Sequence, residues 1–267
     1  MEIIANNARF QMIESGSGFP VICIHGNGLN RDLWRHLTPG LAQKYRTVVY
    51  ELRGMGQSES VDQPGTTITV QDHADDLSAL MDVLGIEQAA IVAHAFGGFP
   101  AMQLAVDQPH RISALAMACT SARMEGVMRK VIPNWIETAE SVGMGPLVKT
   151  GLERWFVASF REANPEIMDL YRKMIGNNPP LGYAANGRGL LEYDIRNQLH
   201  KIQCPTLLIS GEEDWSTPTK DHRLIAECVA NAELVVVKKS SHTVPEEQPE
   251  EFNQIVLSYL DRHVSRG

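Results

Sequence analysis

The sequence predicts an α/β protein: a mostly parallel, doubly wound sheet interrupted by one all-helical insertion. Short β-branched or apolar runs alternate with longer segments of helical period, the pattern of strands joined by helical crossovers. Such crossovers make consecutive strands parallel. Between about Arg123 and Arg196 the alternation stops, and it resumes at Cys204. With 267 residues, of which 43% are hydrophobic, the chain can bury one sizeable core, and collagen-like or disordered architectures are excluded.

Taken in order, "MEIIA" and "ARFQMIE" flank Asn6-Asn7, residues that tolerate positive φ, and predict an opening hairpin. The runs "PVICIHG", "YRTVVYELRG", "QAAIVAHAFGG", "ISALAMACTSA", "CPTLLISGEED" and "AELVVVKKSSH" follow as strands with their exit loops. Between them, "VQDHADDLSALMDVLG" places Ala74, Leu77, Leu80, Met81 and Leu84 on one helical face. "FPAMQLAVDQP", "KDHRLIAECVA" and the closing "PEEFNQIVLSYLDRH" are the other core helices. Helical segments such as "GPLVKTGLERWFVASFRE" and "PEIMDLYRKMIG", punctuated by "NNPPLGY", fill the insertion. The expected organisation is a core of residues 1–121 and 197–267 with a helical cap over 122–196.

A net charge of -8 supplies no basic field for nucleic acid or an anionic membrane. No stretch approaches the length of a membrane span, and the N-terminal "MEIIANNARFQ" lacks a signal-peptide pattern, so a cytoplasmic protein is expected. Cys23, Cys119, Cys204 and Cys228 lack metal-ligand spacing and are expected as buried small apolar residues. No metal or organic cofactor is implied.

The chemistry gathers at strand ends, where open α/β sheets build their sites. "IVAHAFGG" has the spacing of the G-x-S-x-G nucleophile elbow, with Ala93 for the first Gly and Ala95 for Ser. Small flanking residues are needed because the strand-to-helix turn brings backbones close together. "CIHGNG" ends a strand in a glycine-rich loop able to offer an oxyanion-hole N–H. Asp214 in "ISGEEDWSTP" and His242 in "VVVKKSSHTVPEEQP" lie just past the next strands. Alone, the Asp reads as a helix cap and the His as a solvated loop residue. Elbow, acid and His in that order, all at carboxyl ends of parallel strands, instead form a triad able to converge on one edge.

With these stretches, "ELRGMGQS" and "SSHTVPEEQPEEF", the chain resembles the α/β-hydrolase superfamily over essentially its whole length. Its insertion is most similar to that of the 3-oxoadipate enol-lactonases. It departs from the superfamily pattern at Glu51, where Asp is usual, at Ala93, and at Ala95, which removes the nucleophile. Either the chain naturally lacks a nucleophile, or a serine was replaced deliberately to silence the site. Retention of Asp214, His242 and the oxyanion loop favours replacement.

The resemblance implies a hydrolase of a small ester or lactone, with a C–C bond hydrolase of the meta-cleavage-product type as the enzymatic alternative. A catalytically silent ligand-binding protein on the same fold is the alternative from another class. Serine at position 95 would attack a carbonyl, with His242 as base, Asp214 orienting it, and the N–H groups of Phe96 and Asn27 receiving the oxyanion. Asn27 has its side-chain amide as a second possible donor. The insertion contains ten Lys/Arg against nine Asp/Glu, a balance of +1 that leaves −9 for the rest of the chain. This relatively basic cap permits recognition of a substrate carboxylate, with Arg154 beside Trp155 in "LERWF" as the candidate and Trp135 as a further lining residue. His25 and His94 are expected to brace their loops. Met124, Met128, Met144, Met168 and Met174 either pack the cap or line an adaptable pocket.

Overall fold

Asn6 and Asn7 turn the chain at φ 46° and 55°, joining strand β1 (Glu2–Ala5) to β2 (Ala8–Ser15) as an antiparallel hairpin. The structure, a computed structural model, describes residues 1–264. The strands β3 (Pro20–Ile24), β4 (Arg46–Tyr50), β5 (Ala89–His94), β6 (Ile112–Ala118), β7 (Thr206–Gly211) and β8 (Ala232–Val237) follow. They form one sheet in the order β1-β2-β4-β3-β5-β6-β7-β8, antiparallel at the hairpin and at β2–β4 and parallel elsewhere. All six residues of β5 are buried. Helices cover both faces of such a central strand, so its sequence is a continuous apolar run instead of an alternating one.

The first helices packed on the sheet are α1 (Thr38–Ala42), α2 (Val70–Val83) and α3 (Gly98–Asp107). α2 starts at a capping box, in which the Thr69 hydroxyl accepts from Asp72 N–H and the Asp72 carboxylate from Thr69 N–H. Ala74, Leu77, Leu80 and Met81 form its buried face, and Leu84 is the half-buried C-cap.

Residues 126–192 form five helices and no strand: α4 (Gly126–Ser141), α5 (Gly145–Trp155), α6 (Ala158–Ala163), α7 (Pro165–Gly176) and α8 (Pro180–Glu192). An isolated antiparallel bridge between Arg123 and Asp194 holds the two ends of this segment together. The chain then returns through β7, α9 (Thr219–Cys228), β8, the short α10 (Val244–Glu247) and α11 (Pro249–His263). No helix among the described residues is long and apolar enough to cross a membrane.

Cys23, Cys119 and Cys204 are buried as expected, but Cys228 is exposed. It ends α9, which fully buries only His222 and Ile225.

The strand order reverses at β3, whose two neighbours are β4 and β5. The carboxyl ends of the strands at such a reversal are where an α/β sheet places its ligand. The five-helix segment reaches this edge through α8, where Ile68 N–H donates to Ala185 O at 3.2 Å. A Cβ on Gly189 would collide with the Ile68 carbonyl, so the backbones meet only because residue 189 has no side chain. Gly189→Ala is therefore expected to lower unfolding free energy by about 1–3 kcal/mol, the usual cost of overpacking. Urea denaturation showing a loss below about 0.5 kcal/mol would mean that this contact yields easily.

Candidate active site

β5 ends at His94, and Ala95 takes φ 48°, in the left-handed region where a residue with a Cβ costs roughly 1–3 kcal/mol. A single 3-10 turn over residues 95–97 then leads into α3. The turn has no room for larger neighbours. A Cβ on Gly97 would lie 2.6 Å from Ile24 O and 2.8 Å from His25 O, and one on Gly98 would strike the Thr120 side chain. Thr120 Oγ1, two residues past β6, donates to Ala95 O at 2.9 Å, fixing the strained peptide. Ala93, still within the strand, is fully buried.

Asp214 lies three residues beyond β7 and His242 five beyond β8, and the two meet with Asp214 Oδ2 2.8 Å from His242 Nδ1. The other contacts to the carboxylate come from its own loop: Thr217 Oγ1 donates to Oδ2 at 2.7 Å, and Ser216 N–H and Thr217 N–H to Oδ1 at 2.8 and 3.1 Å. Burial alone would raise the Asp214 carboxyl, but the adjacent imidazole and these donors hold it down at about 2. An ionised Asp214 accepting from Nδ1–H leaves Nε2 as the basic nitrogen of His242.

The neighbouring histidines are held neutral. Burial pushes His25 down to about 4; its Nδ1 donates to Gly26 O at 2.8 Å and its Nε2 accepts from Leu52 N–H at 3.1 Å. Burial takes His94 to about 3, and its Nε2 donates to His242 O at 2.7 Å. These two rings therefore hold the loops at Gly26 and His242 in place without adding charge to the site.

The sequence candidates Asn27, Phe96, Trp135, Arg154 and Trp155 line one cavity of about 60 Å³ with Ala95 and His242. The rest of the lining is mainly apolar, and it includes Met124 and Met128. Met144 borders a smaller adjoining space, whereas Met168 and Met174, both largely buried, line separate hollows. Asn27 Nδ2 donates to Tyr183 O at 3.3 Å, which commits its side-chain amide to α8.

Arg154 is not on a solvated helix face. It is 8% exposed, with its guanidinium carbon 4.2 Å from the Trp135 ring centroid and 5.3 Å from that of Trp155. Burial lowers its pKa, while Tyr183 and Asp214 counteract the loss. It enters no ion pair among the described residues; it donates a hydrogen bond to the Tyr183 side chain, while its Nε has no partner. A buried cation in an apolar wall is expensive unless something anionic meets it.

Tyr183, Ser216 and Thr217 also belong to this site, and no residue-level signal singled them out. Tyr183 sits at the start of an Ala/Gly-rich helix whose facing depends on tertiary packing. Ser216 and Thr217 lie within the quoted "GEEDWSTP", where Asp214 drew the attention. Ser216 Oγ is buried without a partner.

Cys119, Asp214 and His242 place their ligand atoms within 4.8 Å of one another, the one such cluster among the described residues. Their chemistry does not suit a metal. Burial raises the Cys119 thiol well above its ordinary range, disfavouring thiolate, and Asp214 and His242 spend their facing atoms on each other.

Residues 20–249 match the α/β-hydrolase fold family model. The chain is 30% identical to 3-oxoadipate enol-lactonase 2 of Acinetobacter baylyi over 88% of this chain and 86% of that protein. Among solved structures, the enol-lactonase of Burkholderia xenovorans superimposes with a TM-score of 0.93 at 26% identity, covering 98% of this chain and 100% of the other. A malate-bound thermophilic esterase from Thermogutta terrifontis gives 0.91 at 27% identity, with 99% of each chain covered.

Strain at position 95 has a measurable consequence. Ala95→Gly, which removes the Cβ penalty in the left-handed region, is expected to stabilise the fold by about 1 kcal/mol despite the extra freedom of glycine when unfolded. A loss of stability in chemical denaturation would show that the turn is not strained at this residue.

Proposed function

Because the chain belongs to the α/β-hydrolase fold family, we propose that its cavity is the reaction site of a hydrolase for small esters or lactones, arranged for serine at position 95. With Ala95 in that place, the chain binds such a molecule without forming a covalent intermediate. The observation that carries this reading is the left-handed turn at Ala95, opening on the same cavity as a histidine already paired to a buried carboxylate. A methyl group gains nothing from that strained placement, whereas a hydroxyl would be presented to substrate.

In the Ala95→Ser form, the hydroxyl attacks the carbonyl carbon and its proton passes to His242 Nε2. The carbonyl oxygen becomes an oxyanion received by the N–H groups of Phe96 and Asn27, each worth about 3 kcal/mol in comparable sites. Asp214 stabilises the imidazolium, which then protonates the leaving oxygen. In the second half, His242 takes a proton from water, the resulting hydroxide attacks the acyl carbon, the serine oxygen leaves as it takes that proton back from His242, and the acid departs. Residues 122–196 act as the cap that closes the cavity over the core.

The preferred substrate carries a carboxylate, which Arg154 receives against Trp135 and Trp155. A buried guanidinium with no ion-pair partner supports this, as does the small dicarboxylate in the Thermogutta terrifontis esterase.

Ala95→Ser is expected to raise ester or lactone hydrolysis by several powers of ten, since losing a triad nucleophile costs on the order of 10⁶ in kcat. No gain across a panel of small esters and lactones would contradict the proposal. His242→Ala in that background should return activity nearly to that of the Ala95 chain, and an unchanged rate would place the base elsewhere.

The role of Arg154 is tested in the same background by Arg154→Met. KM for an acidic ester should rise about ten- to a hundredfold, matching a charge-assisted hydrogen bond of about 1.5–3 kcal/mol, while a neutral ester of similar size is nearly unaffected. Equal losses for both would reduce Arg154 to a packing residue.

A further inference from the structure

The loop that carries His242 is fastened to the stretch of chain that carries Arg154 and Trp155. Ser241 Oγ donates to Arg154 O at 3.2 Å, and Thr243 donates through both N–H and Oγ1 to Trp155 O, each at 3.0 Å. One side chain bridges the two segments. Glu247, 5% exposed in α10, accepts from Val157 N–H on one carboxylate oxygen and from Ser241 N–H on the other, both at 2.7 Å.

This bridge requires a carboxylate. Both partners are N–H donors, so both side-chain oxygens must accept, which an ionised Glu can do and a Gln of identical shape cannot. In Gln, one of the two N–H groups would face an amide NH2. Burial pushes the Glu247 carboxyl up to about 7, against the pull of the Val157, Ser241 and Thr243 N–H groups, with Asp214 adding to the rise. A group that is costly to bury in its charged form is thus held at the junction of three segments. Two of them reach the cavity, one through His242 and the other through Arg154 and Trp155.

We infer that Glu247 is a positioning residue: its carboxylate, through Ser241 N–H and Val157 N–H, sets the His242 ring against Asp214 and in register with the Arg154–Trp155 wall. It touches neither substrate nor reacting atoms. The consequence for turnover rests on the hydrolase reading above, but the consequence for the ring does not. Misplacing a base by about 1 Å can cost about a hundredfold in rate.

The first measurement uses the Ala95 chain itself at pH 8.5, where Glu247 is ionised. The ¹⁵N shifts of labelled His242 should report a single Nδ1–H tautomer, and Glu247→Gln should give tautomer mixing with the fold intact by circular dichroism. A second variant attacks the bridge from its other end. Val157 has φ -62° and follows an extended Phe156, a backbone that accepts proline, so Val157→Pro deletes the N–H and displaces the carboxylate. In the Ala95→Ser background, each variant should lower kcat for a neutral ester about ten- to a hundredfold with KM changed less than about threefold. Unchanged His242 shifts, with kcat within twofold in whichever variant folds, would overturn the inference. So would an effect on KM alone, which a merely structural tie to the helical segment would produce. If Ala95→Ser proves inactive on every ester, the hydrolase reading fails while the tautomer measurement still decides the role of Glu247.

Discussion

The close backbone approach at the end of β5 constrains everything else in the site. Ala95 is held in the left-handed region while Gly97 passes beneath the carbonyls of Ile24 and His25 with no space for a side chain. That contact ties the exit loops of β3 and β5 together at the point where strand order reverses. Phe96 and Asn27 consequently reach one cavity from two strands, and position 95 is presented between them. A larger residue at 97 or 98 would force the turn open and separate these groups.

Around this turn, the fold controls charge by burial. His25, His94 and His222 are pushed down to about 4, 3 and 4, so they hold loops as neutral rings. Thr120 N–H donates to His222 Nε2 at 3.1 Å, so a neutral ring also supports the residue that fixes the Ala95 carbonyl. The charges retained near the cavity are few: Asp214, surrounded by donors, and Arg154, against the Trp135 and Trp155 rings. Burial of both groups strengthens whatever electrostatic contact a ligand makes with them.

The sheet and its helices were legible because buried parallel strands write continuous apolar runs, and α2 announced itself by the helical spacing of Ala74, Leu77, Leu80, Met81 and Leu84. The sharp turn at Ala95 was legible through spacing, although neither Ala93 nor Ala95 matches the usual motif. By contrast, α1 is only five residues long and contains Pro39 and Gly40, so no helical period could form. Tyr183 reaches the cavity through the seating of α8 on Ile68, a tertiary contact with no local signature. Glu247 read as one acid in an acidic stretch, since its partners are backbone N–H groups 90 and 6 residues away. Cys228 shows the opposite error, an apolar-type residue left exposed because α9 covers the sheet with only a narrow face.

The most direct test of position 95 as the nucleophile's place is covalent. The Ala95→Ser variant, treated with a fluorophosphonate and analysed by peptide mass spectrometry, should carry one adduct per chain at position 95, with labelling suppressed by His242→Ala. The Ala95 chain should remain unlabelled. No adduct in the Ala95→Ser variant, or an adduct confined to another hydroxyl of the cavity such as Ser216, would contradict the account.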